Sequence, residues 1–397
     1  METGLPGAKE ASYRLLGLQA LVQENGVILK RGTTRLFLEG KDVAELLDLL
    51  VERLTGGRYF EVTRLKAEVS GEQREPLVAL VETLKAHRFI VPAEEAGSAR
   101  REDVFFWNYR TNFAAVIGEL SDVHLTVFGV NSIALALLGN LRGCGFRDVT
   151  FVDHPSLRNL DYFDSKRKLR AEIAAALSVP PRDFDEWSAE NKRPDGCFVL
   201  CSDFGGRPLI RDWNRFCVER GVMLYPVVLL DHIVHLGPMI VPGEGPCYEC
   251  LWARQNSNLA DVARVRAGEM DADLGQQAIG YLQPMARAAA DFAALELMKI
   301  FSTPLPGGKI GRILDVDLMG PSVESREFLK VPRCPVCGDV VPKAKPQPVE
   351  AAPAEGVAAQ PKVEGAPAEK SARQGDEEQK PEEQKPAAEP LPAKDVA

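Results

Sequence analysis

The chain has 397 residues, of which 45% are hydrophobic and 26% charged, a composition that predicts a soluble protein with about two folded domains. Its net charge of −9 argues against nucleic acid as the main partner, because nucleic-acid binders usually present a basic face. No apolar run approaches the roughly 18 residues of a membrane span, and no export signal is recognisable, so we expect a cytoplasmic location without membrane contact. Eight cysteines in such a chain favour reduced thiols or a metal site over disulfides.

The N-terminal part of the chain predicts a small domain of strands followed by helices. Two apolar runs, at 26–30 and 34–38, flank a turn at Gly32 and predict a β-hairpin, and the segment LGLQALV before them predicts one more strand. Three helices follow, the third with an apolar face that includes Leu80 and Leu84. This order matches a winged helix-turn-helix in outline.

Further along, strands and helices alternate. The runs at 123–128 and 148–153 predict buried strands on either side of a helix over 129–142, which together make a βαβ unit. Two later apolar runs predict strands, and an alanine-rich segment at 283–301 predicts a long helix. The pattern predicts an α/β fold with a Rossmann-type sheet.

These patterns divide the chain into four parts: a winged-helix domain over 1–92, a linker over 93–121, an α/β domain over 122–341 and a tail over 342–397. The tail holds 10 of the 28 prolines and no aromatic residue. Because it cannot bury enough apolar surface to offset the entropy of ordering, we expect it to be disordered.

The first turn of the βαβ unit is a candidate nucleotide site. A dinucleotide-binding turn reads G-x-G-x-x-G, because glycines let the backbone approach phosphates at the helix N-terminus. Here Gly129 keeps the first glycine, but Asn131 replaces the second. Asp153 follows 24 residues after Gly129, near the position of a ribose-binding acid. A degenerate nucleotide site and a scaffold that binds no nucleotide both remain open.

Two C-x-x-C pairs are the most specific motif. Cys247 and Cys250 form one, Cys334 and Cys337 the other, with 83 residues between the pairs. Four thiolates suit a tetrahedral structural zinc that would tie two distant segments together. A redox-active C-x-x-C is the alternative, but it would leave the second pair unexplained.

The order of these features over about residues 122–338 resembles the ThiF-like, ubiquitin-activating-type family. Enzymes of that family adenylate a C-terminal carboxylate with ATP, and the resemblance implies Asp153 as the ribose-binding acid and Asp203 as the magnesium-binding acid. The family's Asn-Leu-x-Arg-Gln stretch falls on RNLDYFD, where the arginine position is aromatic (Tyr162 or nearby Phe163). This missing charge, together with Asn131, argues against ATP chemistry.

Residues 13–92 resemble a PqqD-like module, the precursor-recognition element of ribosomal-peptide biosynthesis. Such a module joined to a degenerate ThiF-like domain resembles the leader-peptide-binding partners of YcaO cyclodehydratases, which make thiazole and oxazole rings. The resemblance implies that the chain binds a precursor's leader peptide and presents it to a separate YcaO enzyme, without catalysis of its own. Because homodimers are common among ThiF-like relatives, the resemblance also leaves a homodimer of this chain open.

In such modules the leader adds as a strand to the sheet edge and packs against the third helix. The residues that we expect to line this groove are Arg35, Phe37, Leu80, Leu84 and Lys85.

Three other functions compete with leader binding. An adenylating enzyme acting on a peptide or protein carboxylate is the main alternative. A DNA-binding winged helix is disfavoured because residues 1–92 hold 13 basic and 13 acidic residues, which leaves no phosphate footprint. A dinucleotide-dependent oxidoreductase is disfavoured by the altered turn.

Overall fold

The computed structural model describes residues 12–40, 43–54, 59–98, 100–177, 179–191, 195–263, 279–320 and 322–338. The predicted tail over 342–397 lies outside the described residues. The N-terminal elements are β1 (Tyr13–Leu15), β2 (Gln19–Gln23), β3 (Gly26–Arg31), β4 (Thr34–Glu39), α1 (Val43–Leu54), α2 (Val62–Glu68), α3 (Arg74–Ala86) and β5 (Ile90–Pro92).

The predicted hairpin is confirmed. β3 and β4 pair antiparallel as far as Arg31 and Thr34, and Gly32 occupies the turn at φ +58, a left-handed conformation that favours glycine. β2 pairs with the other side of β3, so the three strands form a sheet in which β4 is an edge strand. β1 and β5 form a separate two-stranded sheet. Each strand has only three residues, too few for a recognisable strand pattern in the sequence.

The segment interpreted as a linker, 93–121, is helical and packed. Its helices are α4 (Ala93–Ala96), α5 (Arg101–Phe106) and α6 (Phe113–Ser121). Trp107 is 2% exposed, and its indole N–H donates to the carbonyl of Ala96 over 3.0 Å. The carboxylate of Asp103, also buried, accepts from the backbone N–H of Phe113. Burial of Trp107 and of the apolar side chains around it stabilises this segment as a folded part of the protein, so it is not a flexible linker.

The α/β region contains more helices and strands than the sequence analysis predicted. Its elements are β6 (His124–Phe128), α7 (Ser132–Cys144), β7 (Asp148–Asp153), α8 (Ala171–Ala176), β8 (Arg182–Asp183), α9 (Phe184–Glu190), β9 (Cys197–Ser202), α10 (Arg207–Arg220), β10 (Met223–Leu230), β11 (Ile233–Leu236), α11 (Tyr248–Ser257), α12 (Gln283–Phe301), β12 (Arg312–Asp317) and β13 (Ser322–Glu327).

Eight strands form one sheet in the order β13-β12-β11-β10-β9-β6-β7-β8. The strands from β10 to β8 are parallel, and their order is that of a Rossmann-type sheet, as predicted. β11, β12 and β13 extend the sheet with antiparallel pairs that the sequence analysis missed. The direction of winding changes between β6 and β9, which is where open α/β sheets bind ligands.

Helices cover both faces of this sheet. α7 and α12 lie together on one face, and the buried alanines of α12 allow the two helices to pack closely. α10 and α11 contribute to a second core that is rich in aromatic side chains. Within the described residues, no helix combines the length and the hydropathy that crossing a membrane requires.

Candidate functional site

The four cysteines of the two C-x-x-C pairs meet in the structure. Cys247 caps α11 and Cys250 lies in its first turn, while Cys334 and Cys337 follow β13. Their four Sγ atoms lie within 4.8 Å of one another, and all four residues are at most 4% exposed. The Cys247–Cys334 and Cys250–Cys337 sulfurs are 3.8 and 3.5 Å apart. The prediction that the two C-x-x-C segments come together is therefore confirmed.

This cysteine cluster fits a structural zinc ion. Sulfurs about 2.3 Å from a tetrahedral zinc are about 3.8 Å from each other, close to the separations found here. The pKa of Cys250 is lowered because the Cys247 thiol and the backbone N–H of Val331 both donate to its sulfur. Zinc would supply a cross-link between α11 and the segment after β13. With four protein donors, it would have no open position for catalysis.

The remaining cysteines are core residues. Cys197 and Cys201 lie within β9 and Cys217 within α10, all completely buried. Burial raises the pKa of each of these thiols, which makes the nucleophilic thiolate scarce at neutral pH. Cys144, at the end of α7, is only partly buried, and burial raises the pKa of its thiol too. These surroundings match the prediction of small buried hydrophobic residues.

A crevice of about 440 Å³ opens at the carboxyl ends of β6 and β9. This is the place where the winding of the parallel sheet changes direction, the usual ligand position of the fold. Its polar lining includes Ser132, Asn159, Asp161, Tyr162, Asp203 and Tyr281. The described lining contains two carboxylates and no lysine or arginine, so it lacks the cations that usually bind a triphosphate.

The turn before α7 is filled by protein groups. Gly129 has φ +108, and a Cβ there would lie 2.8 Å from the carbonyl oxygen of Cys201, so this position needs glycine. The side chain of Asn131 is fully buried and donates to the carbonyls of Leu157 and Cys201 over 2.9 and 2.7 Å. Its Oδ1 caps α7 by accepting from Ala134 N–H, which is why the helix begins later than predicted.

The carboxylate of Asp203, which follows β9, lies at the N-terminus of α7. Its Oδ2 accepts from the backbone N–H of Ser132 (3.1 Å), from the amide of Asn159 (3.1 Å) and from the hydroxyl of Tyr281 (2.6 Å). Burial and the nearby Asp203 raise the pKa of Tyr281, which keeps the phenol protonated as a donor. The first helix N–H, a group that binds phosphate in nucleotide folds, therefore bonds to a carboxylate of the same chain.

The crevice contains a hydroxyl cluster that the sequence analysis missed. Ser132 Oγ lies 2.6 Å from the hydroxyl of Tyr162 and 2.7 Å from that of Tyr281. Tyr162 was noticed only as the aromatic residue at the family's arginine position. Ser132 lies inside the altered turn, whereas no sequence pattern distinguishes Tyr281, which lies just before α12.

Asp153, the predicted ribose-binding acid, ends β7 but is absent from the described lining of the crevice. Arg158 binds both of its carboxylate oxygens over 2.7 and 2.9 Å, and the guanidinium also lies 4.7 Å from the ring of Phe163. This bidentate ion pair gives Asp153 an internal partner.

A groove of about 390 Å³ lies between β4, α1 and α3. Phe37, on the edge strand, is 49% exposed at its rim, and Leu80 of α3 lies 6% exposed at its base. The structure thus brings together two of the five residues predicted for leader binding. Its other lining residues include Ala79 and Thr83 of α3 and Leu46 of α1. The sequence analysis did not predict that α1 lines this groove.

The other predicted groove residues lie elsewhere. Leu84 is fully buried in the domain core. The Lys85 ammonium pairs with Glu82 over 2.9 Å and lies 4.1 Å from the ring of Tyr13. Arg35 is exposed on β4, beyond the described lining of the groove.

Neither a protein-family model nor a curated protein matches the sequence. Solved structures do match the fold. E. coli MccB with MccA-N7isoASN is 17% identical with a TM-score of 0.59, covering 83% of this chain and 100% of that one. E. coli MccB with ATP is 16% identical with a TM-score of 0.59, covering 82% and 100%. A heterocyclase in complex with substrate and cofactor is 18% identical with a TM-score of 0.53, covering 83% of this chain and 40% of that one. At these identities the similarity shows a shared fold.

Proposed function

We propose that this chain binds the leader of a ribosomally made precursor peptide and presents the precursor to a separate YcaO cyclodehydratase for azoline and azole formation. The observation that carries the proposal is the groove beside β4. β4 is an edge strand among the described residues, and it borders an apolar trough with a half-exposed phenylalanine, Phe37, at its rim. An extended peptide satisfies both features at once, because its backbone pairs with the strand while alternate side chains enter the trough.

The crevice of the α/β domain supports a presenting role over a catalytic one. Asn131 fills the phosphate turn, Asp203 accepts the helix N–H, and Arg158 holds Asp153. Asp153 and one carboxylate oxygen of Asp203, the two acids that the resemblance assigns to ATP binding, thus have partners within the chain. The solved structures add a second support: the fold is shared with a heterocyclase, of which it matches 40%. We assign ring formation to a separate enzyme that corresponds to the unmatched part.

An adenylating enzyme is the second candidate, and the observations in its favour are the volume of the crevice and its place in the sheet. A cavity of about 440 Å³ with a buried aspartate lies at the ligand position of the fold, and one structure with the same fold contains ATP. ATP–pyrophosphate exchange separates the two functions. Robust exchange by the isolated chain with a peptide substrate would replace our proposal with this one.

Peptide binding is tested by fluorescence polarisation with a labelled leader from the precursor gene next to this one. Ala79 is exposed on the groove side of α3, so Ala79→Arg fills the groove without entering the core. Ala67 is exposed on α2, and Ala67→Arg is the matched control, since both changes keep a strong helix former.

We expect the wild-type chain and Ala67→Arg to bind the leader with equal affinity and Ala79→Arg to lose binding. If the wild-type chain fails to bind a correct leader at tens of micromolar, the proposed function is wrong. If all three proteins bind equally, the leader lies outside this groove.

A further inference from the structure

Three exposed side chains of β4 lie on one face of the three-stranded sheet. Exposure alternates along this strand, since Leu36 and Leu38 pack against the domain core while the residues between them do not. Alternate residues of a strand point to opposite faces of a sheet. The face away from the core therefore carries Arg35, Phe37 and Glu39, which we name the outer row.

The backbone groups of the outer row point to the free edge of β4. In an antiparallel pair, every second residue exchanges backbone hydrogen bonds with its partner, and the residues between direct their N–H and C=O groups to the other side. Gly40 N–H donates to the carbonyl of Asn25 over 3.2 Å, in continuation of the β3–β4 register. The even-numbered residues of β4 therefore bond to β3. Among the described residues, no strand pairs with the other side, to which the outer row presents its backbone.

Phe37 ends an apolar stripe that crosses the outer face of the sheet. Leu21 lies directly opposite Ile28, and Ile28 lies directly opposite Phe37, so their side chains form one line across β2, β3 and β4. Leu21 is 52% exposed and Phe37 is 49% exposed. An apolar side chain on a strand added beside β4 would continue this stripe and cover part of Phe37.

Charges of opposite sign flank Phe37 along β4. Arg35 lies opposite Lys30, and like charges in this arrangement repel each other, so an acidic neighbour on the open side of Arg35 would be favourable. Glu39 lies opposite Gly26, which offers no side chain. Within the described part of the chain, neither Arg35 nor Glu39 forms an ion pair. The outer row thus offers a cation, an aromatic ring and an anion in succession.

We infer that the outer row selects alternate residues of the leader peptide: an acidic residue beside Arg35, an apolar residue beside Phe37 and a basic residue beside Glu39. This inference rests on the proposed function. The intervening leader residues point to the opposite face, where Leu80 lies at the base of the groove. The leader then reads acidic-x-apolar-x-basic if it adds parallel to β4, and the reverse if it adds antiparallel.

A peptide fits this edge better than a second copy of the chain. Two β4 strands paired antiparallel about their middle would also oppose Arg35 of one copy to Glu39 of the other. However, Leu36 and Leu38 of each copy pack in its own core, so they would not fill the groove of about 390 Å³ beside the partner's strand. A peptide strand has side chains for both the groove and the outer face.

The test measures binding of the labelled leader to the full chain by fluorescence polarisation. Arg35→Glu reverses the charge at the outer row, and leader variants replace each Asp or Glu in turn by Lys. Arg101→Glu, at an exposed position of α5, is the matched control, because it changes the net charge by the same amount. Arg35→Glu places a carboxylate opposite Lys30, so we expect its melting temperature to be unchanged or higher. Size-exclusion chromatography of the free chain at several concentrations detects self-pairing.

We expect Arg35→Glu to weaken leader binding about fivefold and Arg101→Glu to leave it unchanged. One Lys variant of the leader should bind the wild-type chain more weakly by a similar factor, and Arg35→Glu should restore its binding. Two positions from that residue, an apolar leader side chain replaced by Ser should weaken binding to the wild-type chain but not to Phe37→Thr.

Three results would count against these assignments. Equal binding by Arg35→Glu and Arg101→Glu, or the absence of any restored pair, overturns this inference and leaves the proposed function standing. A dimer of the free chain that Arg35→Glu dissociates assigns the outer row to a second copy and also overturns it. Absence of leader binding by the wild-type chain removes the proposed function and this inference with it.

Discussion

Replacing Cys334 by serine should unfold the link between α11 and the segment after β13. The Cys334 sulfur lies 3.8 Å from that of Cys247 in a cluster that is at most 4% exposed, so a hydroxyl there is a poor ligand in a buried position. A structural zinc contributes about 10–16 kcal/mol to folding in small domains. One quarter of that, about 2.5–4 kcal/mol, is a large part of an ordinary domain's stability of about 5–15 kcal/mol.

Two measurements check this prediction. Elemental analysis should give about one zinc per wild-type chain and much less for Cys334→Ser, and urea denaturation should give the loss in unfolding free energy. Cys144→Ser is the matched control, because Cys144 lies at the end of α7, outside the cluster. A wild-type chain that contains no zinc and keeps its stability in the presence of a chelator would refute the reasoning. So would equal stability of Cys334→Ser and Cys144→Ser.

Three further predictions concern the rest of the chain. Burial, with a smaller effect of Arg158, lowers the pKa of His154 to about 4. As the pH falls, the imidazole is therefore protonated in the unfolded chain before it is protonated in the folded chain. Stability should therefore be full above about pH 6.5 and fall by up to about 3 kcal/mol toward pH 4, and His154→Gln should reduce this fall in urea titrations. Leu84→Ala should lower the unfolding free energy by about 2–5 kcal/mol, whereas Leu21→Ala, at a half-exposed position, should change it by less than about 0.5 kcal/mol. The isolated chain should give no ATP–pyrophosphate exchange above background, and a thermal-shift assay should show no stabilisation by ATP.

The sequence predicts those elements whose pattern is local. Strands β6, β7 and β9 and helix α12 follow from apolar runs and helical spacing. The hairpin of β3 and β4 follows from Gly32 between two apolar runs. The cysteine cluster is predictable for a different reason, since thiol pairs at C-x-x-C spacing have few other uses in a reduced protein.

Elements held by distant contacts are harder to predict. β13 is exposed along its whole length, so it shows no alternation of apolar residues, and only its pairing with β12 defines it. Tyr281 enters the crevice from a position 149 residues after Ser132, its partner. In α3, Leu80 and Leu84 occupy the same helical face, and only the packing decides that Leu80 reaches the groove while Leu84 is enclosed in the core.

Asn131 shows what a side chain contributes at the position of the second glycine of a nucleotide-binding turn. A glycine at this position leaves room for phosphate oxygens but contributes no side-chain bonds. The asparagine makes three, to Leu157, Cys201 and Ala134, and so fastens α7 to the ends of the neighbouring segments. Each such bond contributes about 1 kcal/mol at all times, whereas stabilisation by a ligand depends on the ligand's concentration. Asn131 thus contributes constant rigidity at the position where a glycine would leave room for phosphate. A domain that presents a peptide to another enzyme, as we propose for this one, needs that rigidity and not the phosphate site.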